Sequence, residues 1–135
     1  MDTLSPAQRS RRMSLVRSKD TKPELRVRRI AHRLGYRFRL HQGHLPGKPD
    51  LVFTRLRKVV FVHGCFWHRH AGCPRTRTPK SRFDFWVPKL KGNRLRDLRN
   101  MNSLRRLGWK VQIIWECETE WPELIEKRLK GFLTK

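Results

Sequence analysis

Acidic residues are scarce in this chain: 11 Asp and Glu stand against 33 Lys and Arg in 135 residues. The formal charge is +22 and the sequence pI is near 11.6. An excess of that size repels itself in a compact state unless something anionic relieves it, and a basic footprint of this kind points to nucleic acid. A membrane surface is the weaker alternative. The basic residues do not alternate with a long apolar helical face, and no lipidation signature is present. Cysteine is scarce too. Three cysteines, an odd number, argue against a closed disulfide framework, and in a cytoplasmic setting metal is the better explanation for them. No run of 18 apolar residues is present, so no membrane span is expected. The N-terminus lacks the apolar run a signal peptide needs. No internal repeat or linker splits the sequence, and its length suits one domain with a modest core.

Residues 1–19 are polar and basic, with Arg9, Arg11, Arg12, Arg17 and Lys19. They read as a basic arm, mobile without DNA, ahead of a single domain over 20–135. Thr21-Lys22-Pro23-Glu24 is a capping box with proline in the first turn. Val27, Ile30, Ala31 and Leu34 follow at helical spacing, and Gly35 supplies the stop. Tyr36–Leu40 alternates as a half-buried strand. A loop over 41–48 leads to a second strand, Pro49–Phe53, and a basic turn leads to a third, Val59–Val62. That third strand is apolar on both faces and suits a central position. After a basic loop, a helix is expected over Phe85–Leu107, with Leu95, Leu98, Met101, Leu104 and Leu107 on one side. Trp109–Cys117 reads as a strand and the remainder as a helix holding Ile125 and Leu129. Trp109, Trp115 and Trp121 fit apolar faces and are expected in the core. The order is α-β-β-β-α-β-α, an α/β fold with a mixed central sheet flanked by helices.

Chemistry concentrates in Val59–Cys73, where an apolar strand runs into a knot of metal-ligand residue types. Cys65, His70 and Cys73 have close ligand spacing, and Cys117 can complete a four-ligand structural zinc site that uses every cysteine. His63 or His68 can replace His70, and three buried thiols are the alternative to any metal. With carboxylates so few, those in basic surroundings stand out. Asp50 opens a strand after Gly47-Lys48-Pro49, where it can hold Mg²⁺ against a phosphate oxygen or simply satisfy a turn. Glu24 can join it through water or serve the capping box alone. A zinc-rigidified loop would hold His68 in place as a general base for water; a surface histidine is the plainer reading. Phe66-Trp67 is either a buried pair or a wedge that enters a base step, and Trp86 is a further candidate.

Three stretches carry a resemblance: Arg12-Met13-Ser14 with Arg17 to Glu24; Pro46-Gly47-Lys48-Pro49-Asp50-Leu51-Val52; and Val62-His63-Gly64-Cys65-Phe66-Trp67-His68 through Cys73. Phe85-Trp86, Lys89, Asn93, Arg96-Asp97, Gly108-Trp109 and Trp115-Glu116-Cys117 continue it in order. Over about Arg11 to Glu118 the chain resembles the very short patch repair (Vsr) DNA mismatch endonucleases. The resemblance implies a restriction-endonuclease-like core and a strand nick beside the T of a T:G mismatch, the lesion left when 5-methylcytosine deaminates. It implies Mg²⁺ at Asp50 and the Val62 carbonyl, with Glu24 and His63 on metal-bound waters and His68 activating the attacking water. It implies structural Zn²⁺ at Cys65, His70, Cys73 and Cys117. Phe66, Trp67 and Trp86 would enter the base stack, with Met13 approaching from the arm and Lys89 and Asn93 reading the mismatched pair. Val62 stands where some members carry threonine, a change to which a carbonyl ligand is indifferent.

The expected activity is therefore Mg²⁺-dependent hydrolysis of a DNA phosphodiester, leaving 5′-phosphate and 3′-hydroxyl. The expected partner is double-stranded DNA with a T:G mismatch, and mismatch-repair proteins are a further candidate. The chain is expected to be a cytoplasmic, nucleoid-associated monomer with no membrane partner. The rivals are a non-catalytic, zinc-stabilised nucleic-acid-binding protein and a small basic RNA-binding protein.

Overall fold

A computed structural model describes residues 20–78 and 80–134, so Met13 and the rest of the basic arm lie outside the described residues. The elements are α1 (Lys22–Arg33), β1 (Arg39–Leu40), β2 (Leu51–Phe53), β3 (Lys58–His63), α2 (Phe83–Arg106), β4 (Lys110–Trp115) and α3 (Pro122–Leu133). That is the expected succession. The strands form one sheet in the order β1-β2-β3-β4. β2 runs antiparallel to both β1 and β3, and β4 lies parallel to β3. The β3–α2–β4 crossover makes the sheet mixed.

The two-residue period of the strands sorts the side chains into two cores. Leu51, Phe53, Val60 and Ile114 pack with Val27, Ile30 and Ala31 of α1 and with Ile125, Leu129 and Leu133 of α3. Val52, Val59 and Phe61 point the other way, toward Met101 and Leu104 of α2, with Leu45 and Trp109. The result is three layers, with α1 and α3 on one side of the sheet and α2 on the other. β3 lies between β2 and β4 and is buried along nearly its whole length, as its doubly apolar sequence required. By the same alternation His63 emerges on the α2 side and Val62 on the other. Lys58 is 3% exposed at the start of β3, and its Nζ donates to Phe132 O in the last turn of α3 at 2.6 Å. There the cation meets the negative end of a helix.

Local signals set most boundaries. Thr21 Oγ1 accepts from Glu24 N at 3.3 Å, which starts α1, and Gly35 follows its C-cap at φ +88°. The other half of the capping box is not seen: the Glu24 side chain turns inward and is 2% exposed. The first strand is shorter than its alternation suggests. Its register pairs Arg39 with Val52 and Leu40 with Leu51, and β2 turns away at Thr54, leaving Tyr36 and Arg37 nothing to pair with. Tyr36 and Phe38 still pack against the core. β4 ends at Trp115, so Cys117 sits in a 3₁₀ turn over Glu116–Glu120 and not on the strand.

Two side-chain expectations are corrected. Trp121 is 63% exposed, because α3 begins only at Pro122 and Trp121 caps it from outside. On α2 Leu95 and Leu98 are exposed, as is Leu107 at its C-cap, while Leu90, Met101 and Leu104 are buried. A 24-residue helix resting on a four-stranded sheet touches it along a narrow stripe, so a wider set of leucines cannot all be covered. Asp97, four residues before Met101, falls on that stripe.

Candidate active site and metal centre

The ends of β2 and β3 frame an open cleft of about 580 Å³, whose lining includes Lys48, Asp50, Val62, His63, His68 and Asp97. Gly47 delivers Asp50 to it. Gly47 has φ +76°, and a Cβ there would lie 3.1 Å from Asn100 and 3.2 Å from Phe61, so the turn has room for no side chain. Asp50 Oδ2 accepts from Val62 N at 2.7 Å, which ties the entry of β2 to the end of β3. Burial pushes the Asp50 carboxyl up to about 8, and the neighbouring Glu24 adds to the rise. A half-buried carboxylate beside a fully buried one is a donor set that suits a divalent cation.

Glu24 is better supplied with donors. His41 Nε2 faces both of its oxygens, at 3.0 and 2.9 Å, and must donate to them. Arg28 also donates to Glu24, one helical turn away, and to Asp20. His41 Nε2 lies 3.9 Å from Asp50 Oδ1, beyond hydrogen-bond reach.

On the α2 side the rings of His63 and His68 stack, and His68 Nδ1 lies 2.6 Å from Asp97 Oδ2. A carboxylate at Nδ1 fixes the proton there and leaves Nε2 as the acceptor. Burial, and then the neighbouring His68, lower His63 to about 3, so it is neutral. His63 Nδ1 is buried without a hydrogen-bond partner among the described residues. His68 thus has the geometry of an oriented base, with a stacked ring behind it and a carboxylate beneath.

A separate group lies past the end of β3. Cys65, His70, Cys73 and Cys117 bring one ligand atom each to within 4.8 Å of the others. His70 Nδ1 is 3.6 Å from Cys65 Sγ and 3.5 Å from Cys117 Sγ. A tetrahedral cation with bonds of about 2.3 Å to sulfur and about 2.0 Å to nitrogen places those atoms about 3.5 Å apart. The donor set and its spacing therefore fit such an ion. Of the three histidines in the segment, His70 is the one at the cysteines. Its ring stacks on Trp115 at 4.2 Å, and Cys117 N donates to Cys65 Sγ at 3.4 Å. Burial pushes the Cys65 thiol up to about 12.

The same loop and the first turn of α2 together carry the aromatic cluster. Phe66 contacts Trp67 and Trp86 with centroids 5.1 and 5.5 Å apart, and Trp67 lies 5.8 Å from Trp86. All three are half-buried. Lys89 Nζ stands 6.0 Å over Trp67, and Asn93 Nδ2 donates to Trp67 O at 3.3 Å. Every candidate within the described residues falls into one of four adjoining groups: the carboxylates with Val62, the stacked histidines, the Cys/His cluster, or the aromatic cluster with Lys89 and Asn93. No local pattern in the sequence marks Arg28 or His41, and Asp97 stands out there only within Arg96-Asp97. The one hint available for Asp97 was a carboxylate in a strongly basic helix.

Comparison with known proteins identifies the family. Residues 1–75 match the family described as DNA mismatch endonuclease Vsr. The chain is 51% identical over 132 residues to the type II nicking enzyme V.XorIIP of Xanthomonas oryzae pv. oryzae, covering 98% of this chain and 96% of the relative. It is 40% identical over 128 residues to the type II nicking enzyme V.NmeAIP of Neisseria meningitidis, covering 95% and 91%. It is also 40% identical over 116 residues to the DNA mismatch endonuclease Vsr of Escherichia coli K12, covering 86% and 74%.

Proposed function

Since the chain belongs to the Vsr family of DNA mismatch endonucleases, and is by that membership a DNA endonuclease, we propose that it nicks one strand beside the T of a T:G mismatch. Such mismatches arise when 5-methylcytosine deaminates, and the nick starts very short patch repair. The fold proposed is the restriction-endonuclease-like one, over a single domain from residue 20, with the basic arm of 1–19 ordering on DNA and bringing Met13 to the mismatch.

A nuclease of this family needs a divalent cation, and Asp50 with the Val62 carbonyl would hold it as Mg²⁺. When bound, the cation polarises the phosphate and stabilises charge that develops on it. Glu24 and His63 would hold water in its shell. His68, with Nδ1 committed to Asp97, takes a proton from the attacking water at Nε2. The phosphorus–O3′ bond breaks and leaves 5′-phosphate and 3′-hydroxyl. Cys65, His70, Cys73 and Cys117 would hold a structural Zn²⁺ that stiffens the loop bearing Phe66, Trp67 and His68. Phe66, Trp67 and Trp86 would enter the stack at the mismatch, where unstacking costs least, and Lys89 and Asn93 would read the pair.

The observation that carries this reading is the His68–Asp97 pair facing the same cleft as Asp50. The excess of positive charge supports duplex DNA as the substrate, and action as a monomer is part of the proposal. Among the described residues no helix is long and apolar enough to cross a membrane. A cytoplasmic, nucleoid-associated location and docking of mismatch-repair proteins complete the reading. The test is a strand-labelled duplex panel with T:G or T:A at one position, incubated with and without Mg²⁺. A nick in the T strand of T:G alone, dependent on Mg²⁺ and weakened in Asp50→Ala and His68→Ala, is expected. Equal nicking of matched duplex, or a parent that binds but never nicks, overturns it.

A further inference from the structure

No carboxylate pairs with Lys89 among the described residues, yet its ammonium is held. Its Nζ stands 5.6 Å over the ring of Phe85 and 6.0 Å over the ring of Trp67. Phe85 is one helical turn before Lys89 on α2, and Trp67 comes from the loop after β3, so a neighbouring turn and a distant loop meet at one cation. The Phe85 ring is itself fixed. Arg82, just ahead of the helix, lays its guanidinium over that ring at 4.7 Å, and Trp86 meets it edge-on with centroids 5.1 Å apart. Phe85 is nevertheless 44% exposed, so packing in a core does not account for an aromatic side chain here.

A lysine has a long flexible stem and loses rotamer freedom when it is fixed on a base edge. A carboxylate would hold the ammonium only by neutralising it and occupying N–H donors that a base edge needs. An aromatic face attracts the cation through its quadrupole and leaves the charge and the donors available. We infer that Phe85 determines specificity in the nicking reaction: with Trp67 it holds Lys89 where that side chain reads the mismatched pair. Phe85 is a positioning residue, acting through Lys89 and making no base contact of its own. Trp67 enters the base stack in the proposed mechanism, so Phe85 is the support that stays with Lys89 on its own helix. Its neighbour Trp86 packs with Phe66 and Trp67 and serves the wedge instead. The inference rests on the proposed role of Lys89 and adds to it what aims the side chain.

Equilibrium binding tests it, with the zinc-loaded full chain and labelled duplexes carrying T:G or T:A at one position, and no added Mg²⁺, so that nothing is cut. The readout is the ratio of the two dissociation constants. Phe85→Leu is expected to lower the preference for T:G by about 2- to 5-fold, the worth of one cation–π contact at an exposed site, and to leave binding to T:A near the parent's. Lys89→Ala should lower the preference at least as far, and adding Phe85→Leu to Lys89→Ala should lower it no further. Phe85→Tyr keeps a ring and should keep the parent's preference. In the parent without DNA, the methylene beside the Lys89 ammonium should resonate upfield of its ordinary position through the ring currents, a measurement that needs no variant to fold. A parent-like preference in Phe85→Leu, a further loss in the double variant, equal weakening on both duplexes, or an ordinary methylene resonance overturns the inference. A parent-like preference in Lys89→Ala sinks instead the reading role of Lys89, and the inference falls with it.

Discussion

The rings of His63 and His68 lie face to face, with centroids 3.8 Å apart and planes 9° from parallel. His63 comes from the last position of β3, and His68 from the loop that folds back over it. A residue fixed in the sheet thus forms the floor on which a loop residue is held.

His68 also needs Asp97, which lies 2.6 Å from its Nδ1. His68→Ala is expected to slow single-turnover nicking of a T:G duplex by about 10²–10⁴-fold, the usual contribution of a positioned general base. Asp97→Asn should lose a substantial part of that, since an amide can stabilise the wrong tautomer. DNA binding by both variants should stay close to that of the parent. Asp97→Asn nicking at the parent's rate would remove Asp97 from the mechanism.

Asp50 makes stability depend on pH when no divalent metal is bound. The folded protein holds the Asp50 proton up to about pH 8, whereas an ordinary aspartate releases it near 3.8. The stabilisation from the protonated form is fully present below the ordinary value and is lost as pH rises through the folded one. Asp50→Asn has no proton to lose. Its melting temperature, relative to the parent in chelator, should therefore climb between pH 5 and pH 8.5, and Mg²⁺ should narrow the gap by stabilising the parent. A gap that does not change with pH would mean that Asp50 is not protonated in the metal-free fold.

The Cys/His centre should hold about one zinc per chain. Cys117→Ser should lower the zinc content and the melting temperature together, because Cys117 ties the 3₁₀ turn after β4 to the loop after β3. Full zinc and unchanged melting in that variant would exclude Cys117 as a ligand. Tryptophan fluorescence should report the loss as well, since Trp115 stacks on His70.

Trp67 and Lys89 face each other across the aromatic cluster. Trp67→Ala is expected to weaken binding to a T:G duplex by about 1–3 kcal/mol, the range for loss of one base–aromatic stack. Lys89→Ala should reduce the preference for T:G over T:A more than it changes the salt dependence of binding. The opposite pattern, a shallower salt slope with the preference intact, would make Lys89 a phosphate contact.

The legible parts of the chain were those written in neighbouring residues. Thr21 to Glu24 announced a helix start, and the apolar run of β3 announced a buried central strand. Close spacing gathered Cys65, His70 and Cys73. What escaped notice depended on pairs distant in sequence. Asp97 meets His68 across 29 residues and His41 meets Glu24 across 17, and no local period encodes either meeting. The same limit explains Trp121 and Leu95. An apolar residue at helical spacing states a preference for burial, but whether a surface is there to cover it depends on how far the sheet extends. Glu24 shows a subtler case. Its position was readable as a cap, yet Arg28 and His41 draw the side chain inward.

The alternation along β3 has a consequence for how this protein can change. Val60 belongs to one core and Val59 and Phe61 to the other, and the strand ends with Val62 and His63 on opposite sides of the sheet. Exchanging one aliphatic residue for another along this strand leaves that parity intact. Inserting or deleting a single residue reverses it, burying His63 where Val62 stood and turning the histidine floor away from His68. The strand therefore tolerates variation in spelling but not in count. Length should vary instead in the connection between the last loop cysteine and α2, where no parity has to be kept.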